Sequence, residues 1–125
     1  MAALTRVGFE PDLGFYHVAE PGRPALALDL MEPFRPLIVD SVVLRGFRTK
    51  ALQRSGFAMV GPACRMSDAT RRGFIRAFEQ RVDELVTHPI FDYRISYRRI
   101  LELEARLLGR HLEGEIDRWQ PLVTR

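Results

Sequence analysis

The stretch that decides the fold is DYRISYRRILELEARLLGRHLE, which runs over Asp92–Glu113. Its apolar side chains recur mostly at intervals of three to five residues, as in the buried face of an amphipathic helix. These side chains are Ile95, Ile100, Leu103, Leu107, Leu108 and Leu112. Gly114 follows directly, and glycine is the preferred residue just beyond a helix C-terminus, so the pattern predicts a long helix over Asp92–Glu113. We expect Trp119, Pro121 and Leu122 to fold the tail back onto the helices.

The preceding stretch, SDATRRGFIRAFEQRVDELVT, predicts a second long helix. Ser67 or Asp68 can cap its N-terminus, and the pair His88-Pro89 ends it near Thr87. We expect its buried stripe to consist of Phe74, Ile75, Phe78, Val82, Leu85 and Val86.

The first half of the chain is interrupted by glycine and proline. Ala2–Val7 is typical of a final helical turn, Phe9–Gly22 of a loop and Leu37–Phe47 of a helix. Thr49–Arg65 predicts loops around one short helix. Because strand signals are weak throughout, we predict a mostly α fold with a single helical domain over residues 1–125.

Composition and the lone cysteine exclude several classes of protein. Hydrophobic residues make up 46% and charged residues 28%, which is ordinary globular usage rather than that of a disordered chain. The apolar runs Pro24–Leu30 and Pro36–Leu44 fall far short of the roughly 20 residues of a membrane span. Cys64 cannot form an internal disulfide, and the N-terminus lacks the apolar core of a signal peptide. We therefore expect a soluble cytoplasmic protein without a membrane partner.

The basic residues are almost all arginine. Lys50 is the one lysine among 19 basic residues, and the net charge is +3. The guanidinium fork grips phosphate oxygens in pairs, which favours a nucleic-acid partner. A G+C-rich genome would produce the same bias through its codons, so both interpretations stay open.

His17, Asp29 and Glu32 form the best candidate site. Asp29 and Glu32 stand three residues apart, so one helical turn can direct both carboxylates the same way. One imidazole and two carboxylates suit a divalent ion such as Mg²⁺ or Mn²⁺, which can activate an oxygen for phosphodiester chemistry. The alternative is a capping box in which Asp29 accepts from the Glu32 amide, beside a surface histidine.

The same residues lie in a block that resembles a known family. GFYH at 14–17, PGRP at 21–24 and LDLMEPFRP at 28–36 are similar to the signature of the CRISPR-associated integrases that acquire new spacers in antiviral defence. Because this long block from histidine to acid is specific, the sequence is identified as a member of that family.

Downstream blocks extend the resemblance over nearly the whole chain. TRRGF at 70–74, followed by Phe78, resembles the family's next helix. SYRRI at 96–100, ARL at 105–107 and the terminal PLVTR at 121–125 resemble its closing helix and tail.

The resemblance implies the C-terminal part of a helical, bundle-like catalytic domain that handles DNA. Family members use the 3′-hydroxyl of a captured fragment to attack a phosphodiester at a repeat boundary. Their Mg²⁺ or Mn²⁺ is held by a glutamate, a histidine and a second acid. The histidine corresponds to His17 and the second acid to Glu32, while Asp29 corresponds to an accompanying acid. Asp29 is then either an outer ligand or the group that fixes the geometry of the site.

The resemblance also sets expectations about what surrounds this segment. The family's first glutamate and its N-terminal β domain lie upstream, so we expect the 125 residues to contain neither and to supply at most two of three ligands. The implied partners are double-stranded DNA (prespacer and CRISPR repeat), a second copy in a homodimer and a small second adaptation subunit. The alternative is a truncated, non-catalytic helical module that binds DNA or an adaptation partner, and whether the chain alone is an enzyme stays open.

Arginines are the candidate DNA contacts, because they could position DNA through its phosphates without reading sequence. The candidates are Arg23, Arg35, Arg71, Arg72, Arg76, Arg98 and Arg99. Arg23 and Arg35 flank the candidate ligands, whereas the others lie on the two predicted long helices. The alternative for those helices is a solvated surface with local ion pairs.

The remaining titratable groups are expected to have no chemical role. We expect His88 and His111 to be structural, and Cys64 to be inert because no histidine lies near it in the sequence. Position 104 is glutamate, whereas relatives in the resembling family often carry glutamine.

Overall fold

The computed structural model describes residues 1–120 and 122. Helices account for about 52% of the chain, which confirms the predicted mostly α fold. Two compact units are present. The first unit consists of Met1–Phe34 with the described residues from Leu85 onward, and the second unit consists of Arg35–Glu84. The single helical domain over residues 1–125 stays a prediction.

Three helices build the first unit: α1 (Ala2–Arg6), α2 (Ala25–Met31) and α5 (Tyr97–Leu112). Their core contains Leu4, Leu26, Ala105 and Leu108, and Val7, Phe9 and Trp119 pack against it. A helix as short as α1 would not form alone, so the burial of Leu4 in this core is what holds it.

The chain after α5 packs back onto the helices at two of the three residues expected to do so. Trp119 packs against the core of the first unit, and Leu122 is buried. Pro121 lies outside the described residues.

A small hairpin joins the two long helices. Strands β3 (Leu85–Thr87) and β4 (Arg94–Ser96) pair antiparallel, so the predictions of helix as far as Thr87 and from Asp92 onward are wrong at these ends. The hairpin forms because its turn contains Pro89, which ends a helix, and Asp92, whose φ of 52° lies in the left-handed region. Helix α5 instead begins after Ser96, whose hydroxyl accepts from the Arg99 N–H at 3.4 Å.

The second unit packs α3 (Ser41–Arg48) against α4 (Asp68–Val82). A 3₁₀ turn over Glu32–Phe34 and a π-helical segment over Arg35–Asp40 precede α3, as expected for a stretch in which Pro33 and Pro36 remove amide donors. The buried apolar residues of the second unit are Ile38, Val42, Leu52 and Val82.

A second hairpin stands where only loops and a short helix were predicted. The short helix is a 3₁₀ turn over Arg54–Gly56, and it leads into β1 (Phe57–Val60), which pairs with β2 (Ala63–Met66). Most residues of both strands are exposed, so the period-two burial pattern that reveals a strand in a sequence never develops.

The buried stripe predicted for α4 is partly wrong. Val82 is buried, whereas Ile75 is 51% exposed. Leu85 and Val86 lie beyond the helix end, in β3. Among the helices of the described residues, none has the length and apolar character needed to span a membrane.

Candidate functional site

Asp29 lies in the last turn of α2, and its carboxylate binds the loop that precedes the helix. The amide of Phe15 donates to Oδ2 at 2.6 Å and that of Tyr16 at 3.0 Å, while the amide of His17 donates to Oδ1 at 2.9 Å. The capping box is therefore wrong: α2 begins after Pro24, so Asp29 is inside the helix and secures a loop rather than a helix N-terminus.

The loop reaches Asp29 because Gly14 has no side chain. A Cβ atom at Gly14 would lie 2.7 Å from the Cβ of Ala25 and 2.8 Å from Oδ2 of Asp29, closer than van der Waals contact allows. The amide of Leu26 also donates to the carbonyl of Pro11 at 2.9 Å. Close packing of the loop on the start of α2 thus positions the backbone of residues 15–17.

His17 is held by both its backbone and its ring. Its Nδ1 lies 2.6 Å from Oδ1 of Asp29, and the exposed fractions of the two side chains are 19% and 11%. Because the carboxylate is the acceptor, Nδ1 carries the proton and the lone pair of the neutral ring is on Nε2. A histidine oriented in this way could bind a metal ion through Nε2.

The hydrogen bonds to Asp29 keep its carboxylate ionised. Burial alone would raise its pKa, but the amides of Tyr16, Phe15 and His17, together with the His17 ring, outweigh burial and lower the pKa from 3.8 to about 2. A difference of this size corresponds to about 2 kcal/mol in favour of the ionised form in the folded chain.

Glu32 is the first residue of the 3₁₀ turn that follows α2, and it is exposed. The structure brings His17 and Asp29 into contact. Within residues 1–120 and 122, it places no group of three or more histidine, cysteine, aspartate and glutamate side chains where they could hold a metal ion. The donor chemistry of an imidazole and nearby carboxylates suits Mg²⁺ or Mn²⁺, but the set provided by these residues is incomplete.

The seven arginines proposed as DNA contacts are all exposed: Arg23, Arg35, Arg71, Arg72, Arg76, Arg98 and Arg99. Some of them already have acidic neighbours, since Arg71 pairs with Asp68 at 3.0 Å and Arg99 with Glu102 at 3.2 Å. Such exposed pairs are weak and leave the guanidinium able to exchange partners.

Two polar side chains are buried: His88, which was expected to be structural, and Glu104, whose burial was not expected. His88 is fully buried, its Nδ1 accepts from the amides of Ile90 and Phe91, and burial lowers its pKa, which fits a structural role in the turn. Glu104 is 2% exposed and accepts from the Trp119 ring nitrogen at 3.0 Å. The only signal in the sequence was a glutamate within the apolar stripe of α5.

Comparisons with known proteins point to one family. The family model described as CRISPR associated protein Cas1 matches residues 1–80. A CRISPR-associated exonuclease Cas4/endonuclease Cas1 fusion from Geobacter sulfurreducens is 52% identical over 123 residues, which are 98% of this chain and 22% of that protein. A CRISPR-associated endonuclease Cas1 from Thermus thermophilus is 39% identical over 124 residues, or 99% of this chain and 37% of that protein.

Solved structures agree with this relationship. A Cas1 protein from Thermotoga maritima superposes with a TM-score of 0.80 at 25% identity, covering 92% of this chain and 35% of that one. A casposase bound to integration product gives a TM-score of 0.84 at 24% identity over 98% of this chain, which shows a shared fold. The chain spans only 22% and 37% of the two relatives named above, and the match is to the C-terminal part of such proteins. The chain belongs to the Cas1 family of CRISPR-associated proteins.

Proposed function

We propose that this chain supplies part of the divalent-metal site of a DNA endonuclease/integrase that inserts spacers into CRISPR arrays by transesterification. The observation that supports the proposal most strongly is the contact between His17 and Asp29, because one carboxylate fixes both the backbone and the ring of the histidine. Metal sites commonly use a carboxylate on one ring nitrogen of a histidine to aim the other nitrogen at the ion.

Asp29 is the orienting group and not a ligand in this proposal. Each carboxylate oxygen accepts about two hydrogen bonds, and the loop already provides two to Oδ1 and two to Oδ2. The ion would therefore be held by Nε2 of His17 and the carboxylate of Glu32, with the glutamate implied by the family resemblance as a third ligand. A bound Mg²⁺ or Mn²⁺ supplies the polarisation of the phosphodiester and the activation of the attacking 3′-hydroxyl.

The chain's own residues then bind and position DNA. Arg23 and Arg35 flank the ligands in sequence and would contact the phosphate that reacts, whereas the helical arginines would hold more distant phosphates. Those helical arginines are Arg71, Arg72, Arg76, Arg98 and Arg99. The proposed setting is the cytoplasm, with double-stranded prespacer and repeat DNA, a second copy in a homodimer and a small second adaptation subunit as partners.

A second candidate is a non-catalytic helical module that binds DNA or an adaptation partner. It is favoured by the incomplete ligand set, since the described residues contain no group of three or more side chains placed to hold a metal.

Nicking and melting experiments with Mn²⁺ separate the two candidates. If the metal-site proposal holds, a protein that contains this chain together with the third ligand should nick supercoiled DNA only with Mn²⁺, and its melting temperature should rise with Mn²⁺. His17→Ala and Glu32→Ala should abolish both effects. His111→Ala is the matched control and should behave like the unaltered chain. Salt-sensitive DNA binding without nicking or stabilisation by Mn²⁺ would support the module instead.

A further inference from the structure

The loop that carries His17 exposes an unusual amount of apolar surface. Leu13, Phe15, Tyr16 and Val18 are 66%, 72%, 86% and 73% exposed. Single exposed apolar residues are common, but four within six positions form a patch of the kind that marks a contact surface.

The backbone beneath this patch is fixed. The amides of Phe15 and Tyr16 donate to Asp29, so these two rings project from an anchored turn rather than from a free loop. The Tyr16 ring also lies edge-on to the His17 ring, with 5.4 Å between the centroids and 83° between the planes. The aromatic surface is therefore next to the proposed metal ligand, and a bound partner would order little additional backbone.

The charge of the loop restricts what it can bind. Residues 7–22 contain Glu10, Asp12 and Glu20 but no lysine or arginine. This segment cannot itself grip phosphates, and its acids repel them. The part of a nucleic acid that can bind such a surface is an uncharged, flat and polarisable group. The face of an unpaired base has these properties.

We propose that Phe15 and Tyr16 form a stacking platform for an unpaired base of the DNA strand handled at His17. The inference rests on the proposed function, because it takes DNA as the ligand. Tyr16 is the principal contact, since it is the more exposed ring and the one that touches His17. The two rings are positioning groups: they fix the nucleotide beside the site while the arginines hold its phosphates.

The proposal predicts a stacking contribution that is independent of salt. Stacking of a base on an aromatic ring is worth on the order of 5- to 100-fold in affinity. We therefore expect Tyr16→Ala to weaken binding of a short single-stranded oligonucleotide by that factor without changing the slope of log K against log salt. Arg23→Ala should instead reduce the magnitude of that slope by about one. Tyr16→Phe should retain the affinity, because the ring face remains.

The experiment is fluorescence titration of the 125-residue chain with single-stranded oligonucleotides, each containing one 2-aminopurine, over a range of NaCl concentrations. Stacking should quench 2-aminopurine at one position, and replacing that nucleotide by an abasic site should remove the difference between the unaltered chain and Tyr16→Ala. Leu13→Ala is the matched control, because it deletes exposed apolar surface from the same loop without deleting a ring.

The possible failures are distinguishable. If the unaltered chain binds DNA in a salt-dependent manner but Tyr16→Ala binds equally well, the stacking platform is overturned and the proposed function stands. If Leu13→Ala weakens binding as much as Tyr16→Ala, or the abasic oligonucleotide preserves the difference, the patch is a general apolar surface that suits a protein partner, and the inference is also overturned. If the unaltered chain does not bind DNA even at low salt, the proposed function fails first.

Discussion

Asp29 accepts hydrogen bonds from residues 12 to 14 positions earlier in the chain. The sequence did place His17 and Asp29 in one candidate site, because both belong to one block. The spacing of Asp29 and Glu32 nevertheless suggested a helix cap, since local spacing describes local hydrogen bonds and cannot show a carboxylate binding a distant loop. The proximity of His17 and Asp29 was thus predictable from the sequence, but the hydrogen bonds of Asp29 to the loop backbone were visible only in the structure.

Replacement of Asp29 by asparagine tests this role through pH. Because the pKa of Asp29 is lowered from 3.8 to about 2 on folding, the unfolded chain takes up a proton before the folded chain as pH falls. The stability that Asp29 contributes is complete above about pH 5 and is lost as pH falls towards 2. We expect Asp29→Asn to be about 2 kcal/mol less stable than the unaltered chain at pH 7, with the difference shrinking towards pH 2.

Urea unfolding at a series of pH values measures this difference. Asp12→Asn changes an exposed acid in the same loop and should alter stability little at any pH. A difference between Asp29→Asn and the unaltered chain that stays constant from pH 7 to pH 2 would contradict the account.

The pKa of Glu104 is shifted in the opposite direction to that of Asp29. Glu104 is almost completely buried, and its Oε1 accepts no hydrogen bond from the described part of the chain. Burial raises its pKa, although hydrogen bonds from Trp119 and the Leu122 amide partly oppose this. The folded chain then holds a proton that the unfolded chain releases, so stability falls as pH rises above about 4.5.

We expect Glu104→Gln to be more stable than the unaltered chain at pH 7.5, by about 1–3 kcal/mol, because it removes a buried charge. The gain should disappear towards pH 4, where the carboxyl is protonated. Urea unfolding at both pH values provides the measurement. Glu102→Gln makes the same change two residues away but removes ion pairs with Arg6 and Arg99, so it should not stabilise. A destabilised Glu104→Gln at pH 7.5 would be the contrary result.

At the scale of elements, the ends of the long helices show what a sequence reveals. Ser67 caps α4 by accepting from the Thr70 amide, and Gly114 follows α5 with a φ of 75°, so both ends were predictable from local chemistry. The beginning of α5 was not predictable, because Ile95 in β4 fits the helical spacing of the apolar residues that follow it. The hairpin of β1 and β2 was missed for a different reason: its strands are four residues long and mostly exposed.

Packing of the loop against α2 is testable at Gly14. An added methyl group would lie 2.8 Å from the backbone carbon of Ala25, which cannot move without displacing the helix. We expect Gly14→Ala to lower the free energy of unfolding by about 1–3 kcal/mol. It should also speed amide exchange at residues 15–17, because the loop would no longer pack closely on α2. Denaturant unfolding and amide exchange at residues 15–17 would measure the two effects.

The matched control is Gly73→Ala in α4. A methyl group there meets nothing within 4 Å, and alanine is the better helix former, so we expect stabilisation by about 0.5–1 kcal/mol. Equal effects of the two substitutions would show that the close approach at Gly14 is unimportant.

At the scale of the whole molecule, charge is distributed unevenly between the two units. The Arg35–Glu84 unit has ten basic and five acidic residues, whereas acids outnumber basic residues in the rest of the chain. A basic unit suits the phosphate backbone, and acids near His17 suit a cation. Composition could show the arginine bias of the chain but not this division, which depends on where the fold separates the units.

The claim on which the functional account depends is that Asp29 holds His17 so that Nε2 can bind a divalent cation. NMR of the histidine rings during titration with paramagnetic Mn²⁺ tests it most directly, because His17, His88 and His111 report separately on metal proximity. The account predicts that the His17 ring broadens at the lowest Mn²⁺ concentration, and that Asp29→Asn requires more metal for the same effect. Broadening of His88 or His111 first, or of all three rings together, would contradict it.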